Sequence, residues 1–175
     1  MMGEPSIVQF KEGGRPISKC KRLLLFPAVA LILSHCTGTG SKDLGFIDGK
    51  LTPCPDAPNC VSSQSADKSH YVDPLRYEVA LNEATEGLLS VLLSMERVKI
   101  INAEGGYIRA EYTSALFGFV DDVEFYFDDR QKTIHVRSAS RIGYCDLGVN
   151  RRRVERIRNR FLEPTSSQHR KTNAR

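Results

Sequence analysis

The chain has 175 residues, of which 41% are hydrophobic, and this is enough for one folded domain with appended segments. Its formal net charge of +4 is unevenly distributed, because residues 36–150 carry 11 basic and 17 acidic side chains whereas residues 151–175 carry 9 basic and 2 acidic ones. A nucleic-acid-binding domain that is basic throughout is therefore excluded, and nucleic acid is not an expected partner.

Residues 1–35 have the pattern of a leader with an export signal. Three basic residues between positions 19 and 22 precede an apolar run of eleven residues, Leu23–Leu33. The run is shorter than the about 20 residues of a membrane-spanning helix and suits a signal peptide, with a short core helix as the alternative. The segment "LSHC" at its end resembles the bacterial lipobox, although His35 stands where a small residue is usual. Cys36 is therefore the lipidation candidate.

Residues 36–43 are rich in glycine, serine and threonine, which is typical of a flexible tether. A fully acylated Cys36 at the start of this tether would be a firm membrane anchor. We therefore predict a protein of the bacterial cell envelope that faces the periplasm and is held to the membrane through its lipid anchor.

Cys54 and Cys60 enclose five residues in the stretch "CPDAPNC". Export leads to an oxidising compartment, so we predict a disulfide between them. Free thiols and metal ligation are the alternatives, but the spacing is not C-x-x-C and no histidine is near, so no metal is expected. The polar residues that follow suit turn capping or, as an alternative, a ligand role: Asn59, Ser62, Ser63 and Gln64.

Apolar periodicity predicts the elements of the remaining chain. The predicted strands are Arg76–Leu81, Val98–Asn102, Tyr107–Ser114, Asp121–Asp128 and Thr133–Ala139. One helix is predicted from an N-cap at Asn82 to about Arg97, and a second from an N-cap at Asn150 to Pro164. These elements predict a single α+β domain over residues 44–163, an antiparallel sheet of four to five strands with two helices packed against it. Residues 164–175 are predicted to be a disordered basic tail.

The last two predicted strands should form a hairpin that turns at Arg130–Gln131. Only one register keeps the apolar faces together, and it pairs Phe125 with Val136 and Phe127 with Ile134. The other face then carries a Tyr126–His135 pair and a Glu124–Arg137 pair. A histidine and an arginine so paired have a structural role in the sheet, worth at most about 1 kcal/mol for each pair.

Three segments, in this order, carry a resemblance to a known family: "CPDAPNCVSSQ", "FGFVDDVEFYFD" and "IHVRSASRIGYCDLGVNRRRVERIRNRF". They resemble the bacterial family catalogued as domain of unknown function 1499 (DUF1499), over about residues 44–163. The resemblance implies a single domain that is often exported or membrane-associated. It implies no established activity, catalytic residue or cofactor.

Arg151, Arg152 and Arg153 occupy the predicted first turn of the last helix, where the helix dipole disfavours each cation by about 0.3–1 kcal/mol. Sequences tend to break local rules at functional sites, and free N–H groups beside arginines suit an anion. The predicted anion site combines these arginines with Ser138, Ser140, Arg141 and Asn150. Its ligand would be a carboxylate, a phosphate or an anionic lipid headgroup. The alternative is that Asp146, Glu155 and solvent neutralise the arginines.

Three functions follow from these features, and no cofactor is expected for any of them. The first is a non-enzymatic envelope protein that binds an anionic ligand or a membrane surface. The second is a hydrolase or transferase with Ser138 or Ser140 as nucleophile and His135 or Asp146 assisting, although "RSASR" lacks the G-x-S-x-G pattern. Cys145 is a further candidate as a reactive thiol. The third is an assembly partner of another envelope protein, contacted through the basic helix.

Overall fold

A computed structural model describes residues 44–115 and 117–163 of the chain, which form eight strands and two helices. In chain order they are β1 (Phe46–Ile47), β2 (Lys50–Leu51), β3 (Cys60–Ser62), β4 (Leu75–Arg76), α1 (Leu81–Leu93), β5 (Val98–Glu104), β6 (Tyr107–Thr113), β7 (Val120–Asp128), β8 (Thr133–Ser140) and α2 (Val149–Leu162). Neither helix in these ranges combines the length and the apolar composition needed to cross a membrane. The predicted leader, signal, lipidation site, tether and basic tail lie outside the described residues.

The main sheet is antiparallel and has six strands. The four long strands and β3 follow the order β3-β8-β7-β6-β5, and β4 also pairs with β8. The α+β class is confirmed, and the sheet exceeds the predicted four to five strands because two short strands pair with β8 on the side away from β7. Strands β1 and β2 form a separate two-stranded sheet, which we call the ribbon.

The register of the β7–β8 hairpin is confirmed. Phe125 lies opposite Val136, Phe127 lies opposite Ile134, and Glu124 lies opposite Arg137. The side-chain period of a strand is two, so a slip by one residue would have moved the apolar residues away from the helices. The hydrophobic pattern was therefore sufficient to determine this pairing.

The prediction of a strand over Arg76–Leu81 was wrong. Only Leu75 and Arg76 pair with β8, and they do so at its first two residues, Thr133 and Ile134. Beyond that point β8 gives way to the hairpin turn, so the following chain has no strand to join. Helix α1 begins at Leu81 after an N-cap at Ala80, not at Asn82, and it ends at Leu93, four residues before the predicted end.

The prediction of Asn150 as an N-cap was also wrong. Helix α2 begins at Val149, and its N-cap is Gly148. The φ angle of Gly148 is 78°, in the left-handed region that glycine adopts without steric cost. The capping acceptor is the Asp146 carboxylate, which accepts hydrogen bonds from the N–H groups of Gly148 at 2.8 Å and Asn150 at 2.7 Å. Asn150 is thereby freed to bury its side chain inside the domain.

The two faces of the main sheet are covered differently. Leu88 and Leu92 of α1 and Val154 and Ile157 of α2 pack on one face, each fully buried in the single core cluster. Burial of such a side chain contributes about 1.5–3 kcal/mol. The ribbon lies on the other face, where the ring of Phe46 is 4.6 Å from that of Tyr126 and 5.5 Å from that of Tyr107. We call these faces the helix side and the ribbon side.

Candidate functional site

Three connections meet at one end of the main sheet, which we call the loop end. They are the α1–β5 turn at residues 94–97, the β6–β7 connection at 114–119 and the β8–α2 connection at 141–148. The N–H of Thr113 donates to the carbonyl of Arg97 at 3.0 Å, and the N–H of Arg141 donates to that of Val120 at 3.2 Å. Because neighbouring strands are antiparallel, β6 and β8 end where β5 and β7 begin, and the connections come together.

A cavity of about 500 Å³ opens at the loop end, between the α1–β5 turn and α2. Its charged lining residues are five arginines and one glutamate: Arg97, Arg152, Arg153, Arg156, Arg160 and Glu96. Its uncharged walls include Tyr112, Ser114 and Val149. We call this cavity the arginine groove. A cleft lined mainly by one sign of charge concentrates ions of the opposite sign, so the groove attracts anions.

Arg152, Arg156 and Arg160 form one exposed stripe along α2 because they are spaced by four residues. The Nη1 of Arg152 donates to the carbonyl of Leu147 at 2.9 Å, and the Nη1 of Arg160 donates to the Ser94 hydroxyl at 3.3 Å. The side chain of Arg156 makes no hydrogen bond or ion pair to any other described residue. Like charges at this spacing destabilise a helix by about 0.2–0.5 kcal/mol for each pair. The stripe therefore destabilises the helix, and no ion pair with a described carboxylate compensates for this.

Arg153 is the buried exception among the groove arginines. Its guanidinium forms an ion pair with Asp121 and donates to the Ser138 hydroxyl at 3.1 Å and to Oδ1 of Asn150 at 2.5 Å. It also lies 4.7 Å from the ring centroid of Tyr112. Burial raises the pKa of Tyr112 to about 12, although the nearby arginines oppose the shift. We call Asp121, Ser138, Asn150 and Arg153 the helix-side network.

A second set of charges is enclosed on the ribbon side. Arg137 and Glu124 form an ion pair at 3.0 Å, and both side chains are almost fully buried. Glu124 also accepts hydrogen bonds at 2.7 Å from the Tyr107 hydroxyl and from the N–H of Gly45, next to the ribbon. Burial and this carboxylate raise the pKa of Tyr107. The predicted Glu124–Arg137 pair is therefore present, and it is a buried ion pair.

Asp122 extends these ribbon-side contacts toward the loop end. It accepts hydrogen bonds from Arg141 at 2.7 and 2.8 Å and from Arg109 at 3.0 Å, while Arg141 also pairs with Glu111. Burial acts to raise the pKa of Asp122, but the two arginines outweigh it, so the pKa lies below its usual value. We call Glu124, Arg137, Asp122, Arg141, Tyr107, Arg109 and Glu111 together the ribbon-side network.

The structure separates the seven residues of the predicted anion site. Ser138, Asn150 and Arg153 meet, together with Ser140, whose hydroxyl accepts from Asn150 at 3.0 Å, but they bind one another inside the domain. Arg141 lies on the ribbon side. Arg151 donates to the carbonyls of Ser69 and Tyr71 at 2.7 and 2.6 Å, away from the groove.

Only Arg152 and Arg153 of the predicted set line the groove. Sequence reasoning missed Arg97, Arg156 and Arg160. The spacing of 152, 156 and 160 by four residues was a signal that could have found the last two, since it places three cations on one helix stripe. No local sequence signal indicates that Arg97 belongs to the groove, because it lies in the α1–β5 turn, far from α2 in the sequence.

Neither His135 nor Asp146 is placed to act as a base for Ser138, a predicted nucleophile. The Ser138 hydroxyl is fully buried and donates to Asn150 at 2.5 Å, and no titratable base among residues 44–115 and 117–163 bonds to it. His135 lies on the ribbon side, with Nδ1 3.3 Å from the Ser63 hydroxyl. The carboxylate of Asp146 binds N–H groups at the start of α2 and the Asn150 side chain. Cys145 is disulfide-bonded, so the prediction of a reactive thiol was wrong.

The Cys54–Cys60 disulfide is confirmed, with the two Cα atoms 5.6 Å apart. Beside it, Gln64 holds the ribbon by donating to the carbonyl of Gly49 and accepting from the N–H of Leu51, both at 2.8 Å. Asn59 donates to the carbonyl of Gly143 at 2.5 Å. The polar residues around the disulfide therefore bind backbone groups, as the turn-capping alternative predicts.

Carboxylates are common metal ligands, and three of them lie close together in the sequence of β7. Each of Asp121, Asp122 and Glu124 is paired with an arginine instead. Within the part of the chain that the structure describes, no group of three or more histidine, cysteine or acidic residues is placed to hold a metal ion.

The sequence pattern of one protein family matches residues 50–161, which is most of the chain. The family is described as protein of unknown function (DUF1499), and the chain belongs to it. No curated protein matches the chain. Membership confirms the resemblance carried by the three motifs, and the function has to be argued from the site.

Proposed function

We propose that this protein is an exported, lipid-anchored protein of the bacterial cell envelope that binds an anionic group in the arginine groove and performs no catalysis. The observation that carries the proposal is the charge of one cavity, lined by five arginines and one glutamate. The glutamate, Glu96, is paired with Arg97 at 3.0 Å. The outer stripe of Arg152, Arg156 and Arg160 is left without a carboxylate partner among the described residues.

An oxyanion is the ligand chemistry that satisfies these arginines. Each guanidinium presents several donors in a planar fork that matches the oxygens of a phosphate or a carboxylate. A hydrogen bond to a charged group contributes about 1.5–3 kcal/mol, so two such contacts give a Kd on the order of a millimolar for one phosphate. A cavity of about 500 Å³ also has room for the organic group that carries the anion.

The groove is tested by calorimetric titration of the full chain with inorganic phosphate, pyrophosphate and acetate. The variant is Arg152→Gln with Arg156→Gln, which removes two exposed cations of the stripe. We expect its phosphate affinity to fall at least about tenfold, because two charge-assisted contacts are lost.

The matched control is Lys68→Gln with Arg130→Gln, which removes two exposed cations outside the groove. We expect this control to bind phosphate like the wild type. An equal loss of affinity in both variants would mean that only net charge matters. That result, or a wild type that binds none of the three anions, would contradict the proposal.

Export and anchoring are supported by the basic residues and apolar run before Cys36, and by the Cys54–Cys60 disulfide, which persists in an oxidising compartment. The test is the intact mass of the protein purified from a bacterial host, measured with and without reduction. We expect a chain that begins at Cys36 with added acyl groups and that gains the mass of two hydrogens when the Cys54–Cys60 disulfide is reduced. An unmodified full-length chain with free thiols would contradict export.

A further inference from the structure

The loop end exposes large apolar side chains that the core does not use. In the β6–β7 connection these are Phe117 and Phe119, whose rings are stacked with centroids 5.5 Å apart. In the β8–α2 connection and the first residue of α2 they are Ile142, Tyr144, Leu147 and Val149. The exposed fraction ranges from 41% for Val149 to 75% for Leu147. Single exposed apolar residues are common, but six in two short segments form a patch that needs a partner.

The two segments are neighbours, and both border the arginine groove. The N–H of Arg141, the first residue of the β8–α2 connection, donates to the carbonyl of Val120, which directly follows the β6–β7 connection. Val149 lines the groove together with Ser114. The carbonyl of Leu147 accepts the hydrogen bond from Arg152. Apolar loop tips and exposed cations therefore form one continuous surface.

The charges of these segments fit an anionic surface. The β6–β7 connection contains no charged residue. In the β8–α2 connection, Arg141 is paired with Asp122, and Asp146 is occupied by N–H groups of α2. Asp146 is therefore the one carboxylate in the two connections, and it is bound to the start of α2, whose adjacent arginine stripe is positive.

We propose that the loop end docks onto an anionic lipid bilayer. This proposal rests on the anion-binding function of the arginine groove. Phe117, Phe119, Tyr144 and Leu147 enter the boundary between headgroups and acyl chains, where aromatic and aliphatic tips are favoured. The arginine groove binds the lipid phosphates, with each cation adding attraction to the negative surface. The docked domain would then lie with its loop end against the membrane.

The absence of tryptophan from the chain allows a direct test with the full-length protein. Phe117→Trp places a single tryptophan in the β6–β7 connection. Its emission should shift to the blue, and bromine-labelled acyl chains should quench it, when vesicles of phosphatidylglycerol and phosphatidylcholine are added. The signal reports insertion of this loop itself, whether or not the N-terminus also holds the protein on the vesicle.

Two variants serve as comparisons in this test. Leu162→Trp places the tryptophan at an exposed apolar position at the other end of α2, and its emission should not shift. Adding Arg152→Gln and Arg156→Gln to Phe117→Trp should raise the lipid concentration at half-maximal shift about tenfold or more.

Three results would overturn the membrane proposal. They are no shift for Phe117→Trp on anionic vesicles, an equal shift on pure phosphatidylcholine, and an equal shift for Leu162→Trp. Phosphate binding by the same proteins in calorimetry distinguishes the two proposals. If phosphate still binds while the loop does not insert, the anion-binding function stands and only the bilayer is excluded.

Discussion

The arginines of this protein lie in two opposite environments. Arg153 of the helix-side network and Arg137 of the ribbon-side network are buried against carboxylates. Arg152 and Arg156, one and three positions from Arg153, are exposed in the groove and contact no carboxylate among the described residues. The comparison teaches that a run of arginines is not one site. Some of them hold the domain together, and others are available to a ligand.

The division into buried and exposed arginines depends on the acidic side chains of β7, which alternate between the two faces of the main sheet. Asp121 points to the helix side, and Asp122 and Glu124 point to the ribbon side, so each face of the sheet carries buried acid. An arginine that reaches either face is neutralised. The α2 stripe faces away from both, so its charge remains outside the fold.

The largest expected effect is on the ribbon-side network. Glu124→Gln keeps a hydrogen-bond acceptor but leaves the Arg137 cation buried without its charge partner, so we expect the free energy of unfolding to fall by about 3–5 kcal/mol. Urea denaturation measures this loss. The double variant Glu124→Gln with Arg137→Met removes both charges, keeps an acceptor for Tyr107 and Gly45, and should recover most of the stability. A single-variant loss below about 1 kcal/mol would mean that solvent compensates the charge.

The next effect compares two arginines three residues apart on α2. Arg153→Met leaves Asp121 buried and unpaired, and we expect a loss of about 3 kcal/mol in the free energy of unfolding. Arg156→Met changes an exposed side chain and should alter stability by no more than about 0.5 kcal/mol, while weakening phosphate binding. Urea denaturation of both variants measures the free energy of unfolding, and calorimetric titration measures phosphate binding. Similar stability losses would show that the stripe is structural as well.

The smallest effect is a pH dependence from His135, which lies beside the ribbon-side network. Burial lowers its pKa, although Asp128 acts in the opposite direction. As the pH falls below the unfolded value of about 6.5, the unfolded chain binds a proton that the folded chain does not, so stability decreases. We therefore expect His135→Gln to flatten the stability profile between about pH 7.5 and about pH 5. Arg156→Met should keep the wild-type slope, and an unchanged slope in His135→Gln would contradict the assignment.

Much of the fold could be predicted, because its strongest signals are local. The alternation of Phe125 and Phe127 against Ile134 and Val136 was enough for the register of the central hairpin. The two nearby cysteines, together with the expected export, indicated the Cys54–Cys60 disulfide, with free thiols and metal ligation as the alternatives. The errors fell at element ends, where Ala80 and Gly148 replace Asn82 and Asn150 as N-caps. A cap depends on which acceptor reaches the first turn, and for α2 that acceptor is the side chain of Asp146.

The candidate site was only half predictable. The unusual first turn of α2 drew attention to Arg152 and Arg153, which line the groove, but Ser138 and Asn150 are internal partners of Arg153. Arg97 joins the groove from the α1–β5 turn, 55 residues earlier than Arg152. No local sequence pattern predicts that Arg97 and Arg152 line the same groove, because this depends on how α1 and α2 pack on the sheet.

By itself, the sequence determined the family, the α+β class and the central register, because each rests on motifs or on periodicity along the chain. Only the tertiary structure decided which arginines are neutralised and which remain available. A charge is neutralised when the fold places a carboxylate within a few ångströms of it in a buried site, and for Arg153 that carboxylate is Asp121, 32 residues away. The arginine groove exists because α2 turns Arg152, Arg156 and Arg160 away from every such partner that the structure describes.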